Sequence, residues 1–147
     1  MSLNEQLNED MKQAMKSQNK FRLSVIRMVR SAIKNIEIDQ RKTLDDNEIL
    51  DILSREIKQR RDSLQEFEKA GREDLAETVK SEIAIIAEYL PQQLSEEEIH
   101  AIVRQTIQET GASSKAEMGK VMSALMPKVK GRADGKLVNQ IVQQQLQ

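Results

Sequence analysis

Leu44 to Ala70 reads LDDNEILDILSREIKQRRDSLQEFEKA, and this stretch decides the fold. Ile49, Leu53, Ile57, Leu64 and Phe67 recur at three-, four- and seven-residue intervals, which places them on one face of an α-helix. Asp45 and Asp46 at the start suit the positive end of a helix dipole, and Ala70-Gly71 ends the run. The same period continues upstream. A helix is predicted over Leu3 to Ser17, with Leu3, Leu7, Met11, Ala14 and Met15 on one face. Another is predicted over Lys20 to Ile38, with Val25, Val29, Ala32, Ile33 and Ile36 along one side. Downstream, Leu75, Val79, Ile83, Ile86 and Leu90 mark a fourth helix. It stops before Pro91, because a residue preceding proline is pushed out of the helical region.

Beyond Pro91 the helices shorten. Ser95-Glu96-Glu97-Glu98 fits a capping box, Ile99, Ile102, Val103 and Ile107 follow, and Gly111 is a C-terminal stop. Ser114 with Glu117 fits a second capping box, opening a short stripe of Met118, Val121, Met122 and Leu125 that ends at Pro127. A last helix starts near Asp134 and uses Leu137, Val138, Ile141 and Val142, with Gln143-Gln144-Gln145 as a frayed terminus. The fold class is therefore all-α. An antiparallel helical domain of about four helices occupies residues 1–92, and a small three-helix domain occupies residues 93–147. Leu90-Pro91-Gln92-Gln93-Leu94 forms the boundary. Ile85 and Tyr89, off the main stripe of the fourth helix, are expected either to seat the second domain or to form an exposed patch for a partner.

Composition agrees with helices. Of 147 residues, 38% are apolar, 32% are charged, and the aromatics are Phe21, Phe67 and Tyr89 alone, too few for a sandwich or barrel. There is no cysteine, which excludes disulfides, thiolate catalysis and zinc ribbons. His100 is the single histidine, which excludes multi-histidine metal sites. No apolar run reaches the ~18–20 residues of a membrane span. Met1-Ser2-Leu3-Asn4-Glu5 lacks the regions of a signal peptide, so a cytoplasmic protein is the expectation. Gly119-Lys120 suggests a phosphate loop, but Ser114 stands where that motif needs glycine. The acids at 45–51 and 96–98 are helix-start residues, and no nucleophile accompanies His100. No catalytic residue, no metal and no cofactor is expected.

The formal net charge of −1 hides local concentrations. From Met11 to Ile36 there is no acid, while Lys12, Lys16, Lys20, Arg22, Arg27, Arg30 and Lys34 occur. Arg27, Arg30 and Lys34 fall within about 60° of one another on a helical wheel, opposite the apolar stripe. They form a basic ridge, read either as a solvated face or as a second basic binding face. The sharper concentration is Lys120, Lys128, Lys130, Arg132 and Lys136, with Asp134 the one acid among them. A break containing Pro127 and Gly131 places cations beside the N-terminus of the last helix, an arrangement that suits phosphate. The other reading is a solubilising turn. Arg60 lies inside the apolar stripe of the third helix. A buried arginine needs a partner, so an ion pair of Arg60 with Glu56 or Glu82 is expected, the other reading being a functional groove.

Five segments, in order along the chain, resemble the YqeY family of bacteria. They are Lys58-Gln59-Arg60-Arg61-Asp62-Ser63, Gly71-Arg72-Glu73-Asp74-Leu75, Tyr89-Leu90-Pro91-Gln92-Gln93-Leu94, Gly119-Lys120-Val121-Met122, and Lys130-Gly131-Arg132-Ala133-Asp134-Gly135-Lys136. That family is similar to the helical and tail region of the B subunit of glutamine-dependent aspartyl/glutamyl-tRNA amidotransferase, whose tail helps recognise tRNA. The resemblance implies a helical domain followed by a compact three-helix tail. It also implies a non-catalytic module binding the phosphates of tRNA or another structured RNA through Lys120, Lys128, Lys130, Arg132 and Lys136. Carbon–nitrogen ligase chemistry belongs to other domains and subunits of the amidotransferase and reaches this chain as an association only. The alternative is a protein-interaction or accessory module of an amidotransferase or translation-related complex.

Overall fold

A computed structural model describes residues 1–146. Among the described residues there are seven α-helices and no strand: α1 (Leu3–Lys16), α2 (Lys20–Gln40), α3 (Asp46–Lys69), α4 (Glu73–Ala87), α5 (Glu96–Thr110), α6 (Met118–Val129) and α7 (Gly135–Gln145). The chain divides into two compact units, Met1–Leu90 and the residues from Pro91 onward.

The first unit is two helical hairpins, α1–α2 and α3–α4, and side-chain caps set the starts of α1, α2 and α3. Ser2 and Glu5 close a capping box on α1, Asn19 caps α2, and Asp45 and Glu48 close a second box on α3. The α2 helix ends with Arg41 in the left-handed region at φ 53°, a conformation that costs a non-glycine residue and stops the helix sharply. Leu7, Ile26, Val29, Ile33, Ile49, Leu53 and Ile86 fill the core, each nearly inaccessible. Burying one such side chain contributes about 1.5–3 kcal/mol, so the stripe is the main source of stability.

The end of α4 differs from expectation. Its regular part stops at Ala87, and Glu88, Tyr89 and Leu90 close it with tightened bonds to Ile85, Ile86 and Ala87. This tight last turn carries Tyr89 into the core of the first unit, where its hydroxyl donates to Asp10 Oδ2. Tyr89 is thus a core residue and no exposed patch. Burial, then the Asp10 hydrogen bond, push its phenol well above the ordinary tyrosine value.

In the second unit, Ile99, Val103, Val121, Leu125, Val129, Val138, Ile141 and Val142 form a separate core. Ser95 and Glu98 close the expected capping box, and Gly111 ends α5 at φ 70°, where glycine carries no Cβ penalty. Two expectations fail here. Pro127 does not end α6 but sits inside it, two residues before the helix stops. Proline in a helix costs about 3 kcal/mol through the missing N–H and the ring clash, and burial of Leu125 and Val129 on either side offsets this. The second capping box is absent as well. The Ser114 side chain makes no cap bond. The Glu117 carboxylate accepts instead from the backbone N–H and hydroxyl of Ser113, while the Glu117 N–H donates to the Ser114 carbonyl and Lys115–Glu117 forms a short 3-10 turn. Gln143, Gln144 and Gln145, expected to fray, belong to α7. Gln145 Nε2 donates to the His100 carbonyl at 3.0 Å, and Leu146 is buried. The last residue assigned to the 93–147 domain, Gln147, lies outside the described residues.

Candidate nucleic-acid interface

The cations of α6 and α7 do not behave alike. Lys120 is exposed in the first turn of α6, on the face away from Val121, Leu125 and Val129. Lys128 reaches back to α5, its Nζ 2.8 Å from Glu109 Oε2 and 3.0 Å from Thr106 Oγ1. Thr106 is buried and itself donates to the Ile102 carbonyl at 2.8 Å, so Lys128 ties α6 to α5. Lys130 follows the last helical residue and keeps an exposed side chain. Lys120 and Lys130 are ten residues apart, about 15 Å along the helix axis.

The turn between α6 and α7 is fastened by the segment after Pro91. Gly131 adopts φ 72°, and its carbonyl accepts from Gln93 Nε2 at 2.9 Å. Leu94 donates its N–H to the Arg132 carbonyl at 2.8 Å, and Arg132 Nε donates to the Gln92 carbonyl at 3.2 Å. Gln92-Gln93-Leu94 therefore shapes the basic turn. In the sequence these residues read as a boundary, and their signal was the family segment they belong to. Asp134 caps α7, its Oδ1 accepting from the Lys136 N–H at 3.1 Å. The helix N-terminus expected to attract phosphate is already served by this carboxylate. Lys136 itself is exposed.

The second basic face lies in the first unit. Arg27 and Lys34 are exposed on α2, and neither they nor Arg30 meet a carboxylate among the described residues. Arg30 Nη1 rests 2.9 Å from Met11 Sδ, a weak acceptor. Arg22, by contrast, is bridged to Glu88 at 2.7 Å.

Arg60 is fully engaged. Its Nη1 lies 2.7 Å from Glu56 Oε2 and its Nε 3.0 Å from Glu82 Oε2, so one guanidinium joins both carboxylates across α3 and α4. The three side chains are only 13–23% exposed. This cluster locks the α3–α4 hairpin and offers a ligand little. No group of three or more metal-ligating side chains occurs among the described residues. None of the helices there is long and apolar enough to cross a membrane.

Fold and site define a class: helical proteins built of two hairpins followed by a three-helix unit with a basic turn. The family model described as Yqey-like protein matches residues 4–146, and the chain belongs to that family. It is similar to "Altered inheritance of mitochondria protein 41, mitochondrial" of Lachancea thermotolerans, 44% identical over 111 residues, covering 74% of this chain and 59% of that protein. The protein of the same name from Kluyveromyces lactis is 43% identical over 105 residues, covering 69% and 56%. That of Pyrenophora tritici-repentis is 30% identical over 141 residues, covering 94% and 77%. The chain thus spans little more than half the length of the first two. These names correct the expected cytoplasmic location, since the relatives are mitochondrial proteins by name. The physical reason for the error is that a helical core of this composition folds alike in either compartment. Location is read from a targeting segment, not from the residues that pack.

Proposed function

We propose that this chain is a non-catalytic RNA-binding module, with tRNA as the RNA class, held by its backbone phosphates on the α6–α7 surface. The carrying observation is the charge balance of that segment. Between residues 120 and 136 the chain carries Lys120, Lys128, Lys130, Arg132 and Lys136 against one acid, Asp134, and that acid caps α7. Lys128, bridged to Glu109, drops out of the contact set, which takes the exposed side chains of Lys120, Lys130 and Lys136 and the terminal nitrogens of Arg132. The chain has one tyrosine, two phenylalanines and no tryptophan, so base stacking contributes little, and shape and phosphate readout of a structured RNA is the consistent mode. Family membership and the likeness to the amidotransferase tail support the choice of tRNA. Amide-transfer chemistry, where the module takes part in it, stays with partner subunits.

The test is a titration of fluorescently labelled, unfractionated tRNA with the full chain between about 50 and 200 mM salt, where each lost phosphate contact flattens the log–log slope by roughly 0.7–0.9. The combined variant Lys130→Ala, Arg132→Ala, Lys136→Ala is expected to weaken binding and flatten the slope by about two units. Lys128→Ala is expected to leave the slope as it is. Equal affinity and slope for the triple variant and the parent overturn the proposal.

A further inference from the structure

The α1–α2 hairpin leaves an open groove along its length. Met11 and Met15 of α1 form one wall, and Leu23, Arg27, Arg30 and Lys34 of α2 form the other. Two adjoining cavities of about 430 and 490 Å³ share Arg27 at their junction. The groove combines apolar and cationic surface without neutralising it. Met15 is 50% exposed and Phe21, at the hairpin end, 41%. Residues 11 to 36 hold no acid, and the acid nearest them on α1, Asp10, is drawn away by Tyr89. Glu37 closes one end, with its Oε2 already accepting from the Leu44 N–H at 3.0 Å. Arg30, with five N–H donors, meets a thioether where an oxygen acceptor belongs.

We propose that this groove docks an acidic amphipathic helix of a partner protein. Carboxylates along one edge of such a helix meet Arg27, Arg30 and Lys34, and its leucine, methionine or phenylalanine side chains enter between Met11, Met15 and Leu23. Methionine walls adapt to varied apolar shapes, and an apolar stripe laid in a groove is a recurrent mode of helix recognition. A phosphate backbone satisfies the cations but leaves the methionines and Leu23 wet, which is why a helix is the better fit. The 14 residues of α1 make a groove about 21 Å long, room for about four turns of a bound helix. Docking here is independent of RNA binding, since it uses other residues in the other unit.

The probe is a phage-displayed library of helical 18-residue peptides, panned on the full chain, with the most enriched peptide then synthesised and titrated by anisotropy. Enriched sequences are expected to carry Asp or Glu on one face and large apolar residues at i, i+3, i+4 and i+7. The double variant Arg27→Ala, Lys34→Ala is expected to weaken the synthetic peptide about tenfold while leaving tRNA affinity unchanged. Met15→Glu, on an already exposed position that folding does not need, gives a second loss of peptide binding. Enrichment of neutral or basic peptides overturns the proposal, and so does peptide binding that survives both variants. A fall in tRNA affinity with the double variant reassigns the groove to RNA. Loss of self-association on sedimentation with the same variant reassigns it to a second copy of the chain.

Discussion

The α1–α2 face and the α6–α7 turn each concentrate cations, but the surrounding residues treat them differently. In the second unit the turn is built out of its charges. Lys128 bridges Glu109, Arg132 Nε holds the Gln92 carbonyl, and Asp134 caps the helix that Lys136 enters. In the first unit Arg27 and Lys34 hold no carboxylate among the described residues, and Arg30 lies against Met11. A cation that fastens a turn is positioned but partly satisfied. A cation on an open groove is unsatisfied and available. Counting charges along the chain ranks the α6–α7 segment first, whereas their pairing shows the α1–α2 groove to be the barer surface.

Substitutions separate fastened cations from available ones. The largest effect is expected at Arg60. Arg60→Ala strands Glu56 and Glu82 beside each other in a mostly buried site and is expected to cost about 2–3 kcal/mol on chemical unfolding. Arg27→Ala, on an open face, is expected to stay within about 0.5 kcal/mol of the parent. Equal losses at the two positions break the comparison.

Next in size is Tyr89→Phe, expected to cost about 1–2 kcal/mol at neutral pH for the lost bond to Asp10. The sign of its pH dependence follows from the raised phenol. The folded chain keeps the Tyr89 proton above the ordinary value of 10.0, while the unfolded chain releases it there. The stabilisation is therefore complete below about pH 10 and falls as pH rises further. With the phenol gone, the variant lacks that alkaline loss, which unfolding curves at successive pH values read directly. The same variant releases Asp10, so it also shows whether Tyr89 keeps this acid out of the groove.

The smallest expected effect is at Lys128. Lys128→Met removes a half-exposed bridge and is expected to lower stability by about 0.5–1 kcal/mol with tRNA affinity unchanged. Lys130→Ala is expected to weaken tRNA binding, measured in the same titration. The two together ask whether neighbouring cations of one turn have separate duties.

Helices were legible in the sequence because their determinants are local. The stripe of Ile49, Leu53 and Ile57 and the Ser95-to-Glu98 box act within one or two turns. Features that depend on distant residues were not. Pro127 reads as a stop, and only the packing of Leu125 and Val129 against the second core carries α6 through it. Tyr89 reads as an off-stripe residue because its partner, Asp10, stands 79 positions earlier. The candidate site was legible as a cluster of charge and not as a set of contacts. The partner of Lys128 lies on α5, and those of Gly131 and Arg132 lie in the segment after Pro91. Met11 and Met15 read in the sequence as helix stripe alone, since two helices must pack before a groove exists.

RNA is expected to meet the α6–α7 turn and to leave the α1–α2 groove untouched. Amide chemical-shift mapping of the isotopically labelled full chain against unlabelled tRNA tests it most directly. Shifts concentrated at Lys130, Arg132, Gly135 and Lys136, with Ser31 and Lys34 unmoved, are the expected result. Shifts concentrated on α1 and α2 with the α6–α7 turn unmoved contradict it.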